Sequence, residues 1–116
     1  FKIATDKGNV ESMFFYATMC NIGDGIPINK QEAAKYYKIA SDKGSVKSMY
    51  NYAVMLRIGD GIPSNKVEAA FYFKTAADKG DSKSMYTYSL MLKNGDGISM
   101  NKEEAVKFIL MNLWNI

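Results

Sequence analysis

Apolar residues recur three and four positions apart along most of the chain. Met13, Tyr16, Ala17 and Cys20 form one such row, Met49, Tyr52, Ala53 and Leu56 a second, and Met85, Tyr88, Ser89 and Leu92 a third. The spacing i, i+3, i+4, i+7 places all four members of a row on one face of an α-helix. It predicts helices over about 10–22, 46–58 and 82–94. A second series, Ala33, Tyr37, Ala40 and then Ala69, Phe73, Ala76, predicts helices over about 30–43 and 66–79. A third member of that series, over about 102–115, keeps Ala105 and Ile109 but carries Asn112 where alanine is expected. Small residues alternating with large ones let two helices approach closely and interlock.

The polar punctuation between these rows is periodic. Lys-Gly occurs at 7–8, 43–44 and 79–80, and Gly-Asp-Gly-Ile at 23–26, 59–62 and 95–98, always 36 residues apart. Residues 7–42 laid over 43–78 agree at 23 of 36 positions, and 14 positions are unchanged when 79–114 is added. The chain is therefore a tandem array of three units. In each unit a first helix, A, opens after Asn9, Ser45 or Asp81, whose side-chain oxygens suit an N-cap. The preceding Gly8, Gly44 and Gly80 suit the left-handed position that ends the helix before. Gly23, Gly59 and Gly95 stop helix A, and Asp-Gly with Pro27 or Pro63 makes the turn. Helix B opens at Asn29, Asn65 or Asn101, with Glu32, Glu68 and Glu104 three residues on, a capping-box arrangement.

These units resemble the Sel-one-like repeat, a relative of the tetratricopeptide repeat. The residues that carry the match are Ser48 to Ala53 (SMYNYA), Gly59 to Pro63 (GDGIP), Glu68 to Phe73 (EAAFYF) and Ala76 to Gly80 (AADKG). The resemblance covers nearly the whole chain. Ser12, Ser48 and Ser84 replace the usual alanine, and Tyr16, Tyr52 and Tyr88 the usual leucine. It implies an all-α fold, a right-handed α-solenoid of antiparallel helix pairs with repeats at about 9–44, 45–80 and 81–116. Phe1 to Gly8 (FKIATDKG) parallels Phe73 to Gly80 (FKTAADKG), so 1–8 reads as the end of a preceding helix B.

Composition narrows the chemistry. The chain has no histidine, which excludes His-based acid–base and nucleophile systems and His metal sites. A single cysteine, Cys20, allows neither an internal disulfide nor a cysteine zinc cluster, nor the disulfide per repeat of cysteine-rich bacterial relatives. Cys20 fills the slot of Leu56 and Leu92 and reads as a small core residue. Asp24, Asp60 and Asp96 each stand alone in their loops, unlike the spaced carboxylates of a calcium loop. Glu32, Glu68 and Glu104 recur once per unit, as capping requires and a single active site does not. The expectation is a non-enzymatic chain without cofactor or metal. Net charge is only +3, with 15 basic residues against 12 acidic, too scattered for a nucleic-acid surface. No run is apolar enough to insert in a membrane. A reduced, cytoplasmic setting is expected, with the endoplasmic-reticulum lumen an alternative for a longer protein of this family.

In related solenoids the A helices line the concave surface. Carried across, the groove positions are Glu11, Phe14, Thr18 and Asn21, then Lys47, Tyr50, Val54 and Arg57, then Lys83, Tyr86, Leu90 and Lys93. One aromatic residue per repeat, flanked by lysine and arginine, suits an extended or helical protein segment with acidic and apolar side chains. The implied function is an adaptor or scaffold that binds a protein or peptide partner. The alternative is assembly through the apolar chain ends, as a homo-oligomer or a continued array, with Phe108, Leu113 and Trp114 at the contact, since the last segment through Ile116 is apolar all round and a solenoid needs a polar terminal face to stay soluble.

Overall fold

The computed structural model describes residues 2–114, and side chains from Asn9 onward. Six helices follow one another: α1 (Lys2–Ile22), α2 (Lys30–Asp42), α3 (Val46–Ile58), α4 (Lys66–Asp78), α5 (Ser82–Asn94) and α6 (Lys102–Trp114). The described residues contain no strand. Each helix packs chiefly on its neighbours in sequence, as stacked hairpins must. The radius of gyration is 14.8 Å, against roughly 13 Å for a compact chain of this length. The molecule is the expected all-α solenoid, 42 × 34 × 20 Å.

The caps act where the sequence places them. Ser45 and Asp81 accept from the backbone N–H of Ser48 and Ser84, and Asn29, Asn65 and Asn101 from those of Glu32, Glu68 and Glu104. Gly59 and Gly95 end α3 and α5 in the left-handed conformation, at φ 71° and 65°. The capping box is only half made, which corrects the reading of the glutamates. The N–H groups of Asn29, Asn65 and Asn101 donate not to the glutamate side chains but to the carbonyls of Cys20, Leu56 and Leu92, each at 2.8 Å. Those bonds tie the start of helix B to the last turn of helix A, where free carbonyls need donors. Glu32 is left to accept from the Tyr16 hydroxyl, and Glu68 from the Asn65 amide.

The beginning of the chain also differs from expectation. Helix A of the first unit is part of α1, which starts at Lys2, so Gly8 and Asn9 lie inside a helix instead of ending one and capping the next. At Gly44 and Gly80 the chain turns because α3 folds back on α2 and α5 on α4. Residues 2–8 instead continue into α1, and the continued helix satisfies their backbone groups. The side chains that carry the Phe1–Gly8 parallel, and Ile116, lie outside the described residues.

The core is built largely from the rows read from the sequence, although Tyr16 is 40% exposed and Met13 and Ile109 are only half-buried. Ala17, Ala33, Tyr37, Ala40, Ala53, Ala69, Phe73 and Ala76 are wholly buried, with Met49, Leu56, Met85 and Leu92 nearly so. Tyr72 and Phe108 join them, each edge-on to the tyrosine of its own helix A. Ring centroids are 5.1 Å apart for Tyr52–Tyr72 and 5.0 Å for Tyr88–Phe108, which favours the T-shaped arrangement seen.

Candidate functional site

The face of α1, α3 and α5 named from the sequence carries a ladder built between repeats. Phe14 leans on Tyr37 and Tyr50 on Phe73, with ring centroids 6.0 and 5.8 Å apart, so both aromatics are half-buried. Over each ring sits the lysine of the following repeat. Lys47 Nζ lies 5.9 Å from the Phe14 centroid and Lys83 Nζ 5.6 Å from that of Tyr50, within cation–π reach. Tyr86 is 54% exposed. Glu11 and Lys93 are exposed, and Val54 and Leu90 are half-buried.

Three of the named positions are already engaged. Thr18 Oγ1 donates to the Phe14 carbonyl at 2.9 Å and lies 2.9 Å from the hydroxyl of buried Tyr37. Asn21 accepts from Lys30 Nζ at 2.8 Å. Arg57 holds Asp96 through Nε and Nη2, both 3.0 Å from Oδ2. Phe108, named for assembly, is 1% exposed and belongs to the core, so it offers nothing to a second molecule. Leu113 and Trp114 are exposed at 59% and 87%, and Trp114 lines an open hollow with Asp78, Met85, Lys107 and Leu110.

Two of the loop aspartates read from sequence as lone turn residues, Asp60 and Asp96, staple neighbouring repeats. Lys30 at the start of α2 reaches Asp60 at 3.1 Å, and Lys66 at the start of α4 reaches Asp96 at 2.7 Å. The hydrogen bond from Lys66, then that from Arg57, holds the Asp96 carboxyl below the usual carboxylate range against the opposing effect of burial. The second glycine of the second and third loops belongs to the same contact. A Cβ on Gly61 would stand 2.1 Å from Lys30 Cβ, and one on Gly97 2.3 Å from Lys66 Cβ. The available signal was that this lysine and this aspartate are unchanged in all three units. Periodicity alone does not separate a residue that serves its own repeat from one that serves the next.

Among the described residues no group of three or more His, Cys, Asp or Glu is placed to hold a metal. Every buried side-chain nitrogen or oxygen that is described has a hydrogen-bond partner, including Ser48 and Ser84, which bond Ser45 and Asp81. Cys20 is buried. No described helix is long and apolar enough to cross a membrane.

The Sel1 repeat model matches residues 10–45, 46–81 and 82–111. Among solved structures, a Sel1 repeat protein from Oxalobacter formigenes is 22% identical over 92% of this chain, with a TM-score of 0.87. A protective antigen present in uropathogenic Escherichia coli strains, displaying an SLR fold, is 23% identical over 99%, with a TM-score of 0.88. Helicobacter pylori cysteine rich protein B is 18% identical over 95%, with a TM-score of 0.74. The chain spans 43%, 26% and 90% of those three chains respectively. No curated protein matches it. At such identities the structures share a fold, and the three consecutive matches coincide with the three helix pairs: the chain belongs to the Sel1 repeat family.

Proposed function

We propose that this chain is an adaptor module whose A-helix face binds an extended or helical protein segment bearing acidic and apolar side chains. Sel1 repeat proteins typically act as non-enzymatic protein-interaction modules. The observation that supports this version of that role is the ladder of Phe14–Lys47 and Tyr50–Lys83, continued by exposed Tyr86 and Lys93. It repeats a cation and a ring once per 36 residues along one face. A regular row of this kind matches acidic and apolar side chains spaced along a partner, and it costs little ordering because the rings are already held by Tyr37 and Phe73.

The test is binding of short immobilised peptides that alternate Glu with Leu or Phe, against matched peptides with Lys in place of Glu. The acidic set binds preferentially, and the Lys47→Glu/Lys83→Glu variant weakens it by about tenfold. Tyr86→Ala weakens it without loss of helix, since that ring is exposed. Equal binding of both sets, or no effect of the three substitutions, overturns the reading. Tyr50→Ala is less informative, because Tyr50 also supports Phe73.

A further inference from the structure

The rungs of the A-helix face are not alike in charge. Glu11 stands where Lys47 and Lys83 stand, three residues ahead of Phe14, Tyr50 and Tyr86 in turn. All three are exposed, and among the described residues none makes an ion pair. The first rung therefore presents a carboxylate and each later rung an ammonium. The row behind the rings changes with it: Thr18 in the first repeat, Val54 and Leu90 in the others.

Phe15 sets the first repeat apart again, standing where the others have Asn51 and Thr87. It is 57% exposed and lies edge-on to Phe14, with ring centroids 5.5 Å apart. Asn51 and Thr87 are only half-buried although α2 and α4 pack on their helices, so the position stays partly open inside the array. Phe14 and Phe15 follow Glu11 by three and four residues, which puts the carboxylate and both rings on one helix face. Lys47 stands over Phe14, but no described lysine or arginine stands over Phe15. A carboxylate beside an open aromatic ring attracts a guanidinium or ammonium through its charge and through the ring quadrupole together. The lysines of the other two rungs repel the same group.

We propose that the bound segment carries an arginine or lysine that seats on Glu11 and Phe15, and acidic residues that meet Lys47 and Lys83, with apolar side chains between. This deepens the adaptor reading and rests on it. Three like rungs would hold a segment equally well reversed or displaced by one repeat. The change of sign after the first rung removes that degeneracy, since either error sets like charges against each other. The partner is thus a segment of both signs, basic at one end and acidic at the other, and it lies along the face in one order.

The experiment uses the isotope-labelled 116-residue chain and peptides of about twelve residues, which span ~40 Å when extended, against a longest dimension of 42 Å. One peptide has Arg at one end, Leu and Phe in the middle and Glu at the other end; a second has Glu in place of Arg. A nitroxide at the arginine end of the first broadens the amides of α1, and one at the glutamate end broadens those of α5. Glu11→Lys weakens binding of the Arg-bearing peptide by about fivefold and strengthens that of the all-acidic one. Phe15→Asn, which copies the second repeat, weakens the Arg-bearing peptide by about threefold. Circular dichroism shows native helix content in both variants. Broadening of α1 and α5 alike from either end, or a Glu11→Lys variant that binds both peptides as the wild type does, overturns the inference and leaves the adaptor reading standing. If neither peptide binds, the adaptor reading falls and the inference with it.

Discussion

The Thr18 and Tyr37 hydroxyls lie 2.9 Å apart across the first helix pair. Thr18 has one proton and gives it to the Phe14 carbonyl, so Tyr37 donates to Thr18. The same two positions hold Val54 and Phe73 in the second repeat and Leu90 and Ile109 in the third, where neither partner is polar. The pair is polar together or apolar together. Thr18→Val alone should strand the buried tyrosine hydroxyl and cost about 1–3 kcal/mol. Thr18→Val/Tyr37→Phe, which copies the second repeat, should recover much of that loss. Urea denaturation of the double-mutant cycle measures the coupling, and strict additivity would refute the pairing.

The loop glycines separate two costs that usually come together. Gly25, Gly61 and Gly97 have φ of 81°, 78° and 76°, so alanine is strained by a similar amount at each, about 1–2 kcal/mol. Only at Gly61 and Gly97 does the added methyl also strike backbone-proximal atoms of the preceding repeat's lysine. Gly61→Ala and Gly97→Ala should therefore lose about 1–3 kcal/mol more than Gly25→Ala. Equal losses in thermal melts would show that the close approach to Lys30 and Lys66 contributes nothing.

This asymmetry marks how far the sequence can be read. The helix rows, the Asn and Ser caps and the stops at Gly59 and Gly95 are legible because each depends on residues within one turn of one another. The contacts that set the face are not. Arg57 and Asp96 are 39 residues apart and Thr18 and Tyr37 19 apart, so no local pattern announces them. The burial of Phe108 follows from its register and not from the overall apolarity of the last helix. Its counterparts Tyr36 and Tyr72 face the tyrosine of helix A, and Phe108 faces Tyr88. Gly8 shows the converse: its sequence context matches Gly44 and Gly80, yet it lies inside α1, because a turn there is decided by what the helix packs on and not by the local residues.

Alkaline pH should loosen the fold through its tyrosines. Burial, then the bond to Asp42, pushes the Tyr72 hydroxyl well up from its ordinary value, and burial raises Tyr52 and Tyr88. Hydrogen bonding with Cys20 and Glu32 pushes Tyr16 up to about 12. A hydroxyl whose folded pKa exceeds its unfolded value of ~10 contributes stability that is complete below pH ~10 and is lost as pH rises through the folded value. The urea midpoint should therefore fall steadily above pH ~10. Tyr72→Phe, which the third repeat already adopts as Phe108, should cost about 1 kcal/mol at neutral pH and flatten part of that fall. An unchanged alkaline slope in that variant would place the sensitivity elsewhere.

Acid pH should act through Asp96, with the opposite sign. Lys66 and Arg57 hold its carboxylate below the ordinary value, so the clasp contributes stability above pH ~4 and loses it as pH falls through the lower folded value. Asp96→Asn removes the charge at every pH. The difference in urea midpoint between wild type and Asp96→Asn should be full at pH 6, shrink below pH ~4 and be lost as pH falls through the lowered folded value. Its size at neutral pH should be about 1 kcal/mol, since the Lys66 and Arg57 side chains are 45% and 39% exposed and screened by solvent. Added salt should reduce it further. Because the clasp joins the second repeat to the third, the loss should appear as weaker coupling between them, with hydrogen exchange rising in α5 and α6 before α1 and α2. Uniform loss of protection over all six helices would mean that Asp96 steadies the array as a whole and is not the staple of one junction.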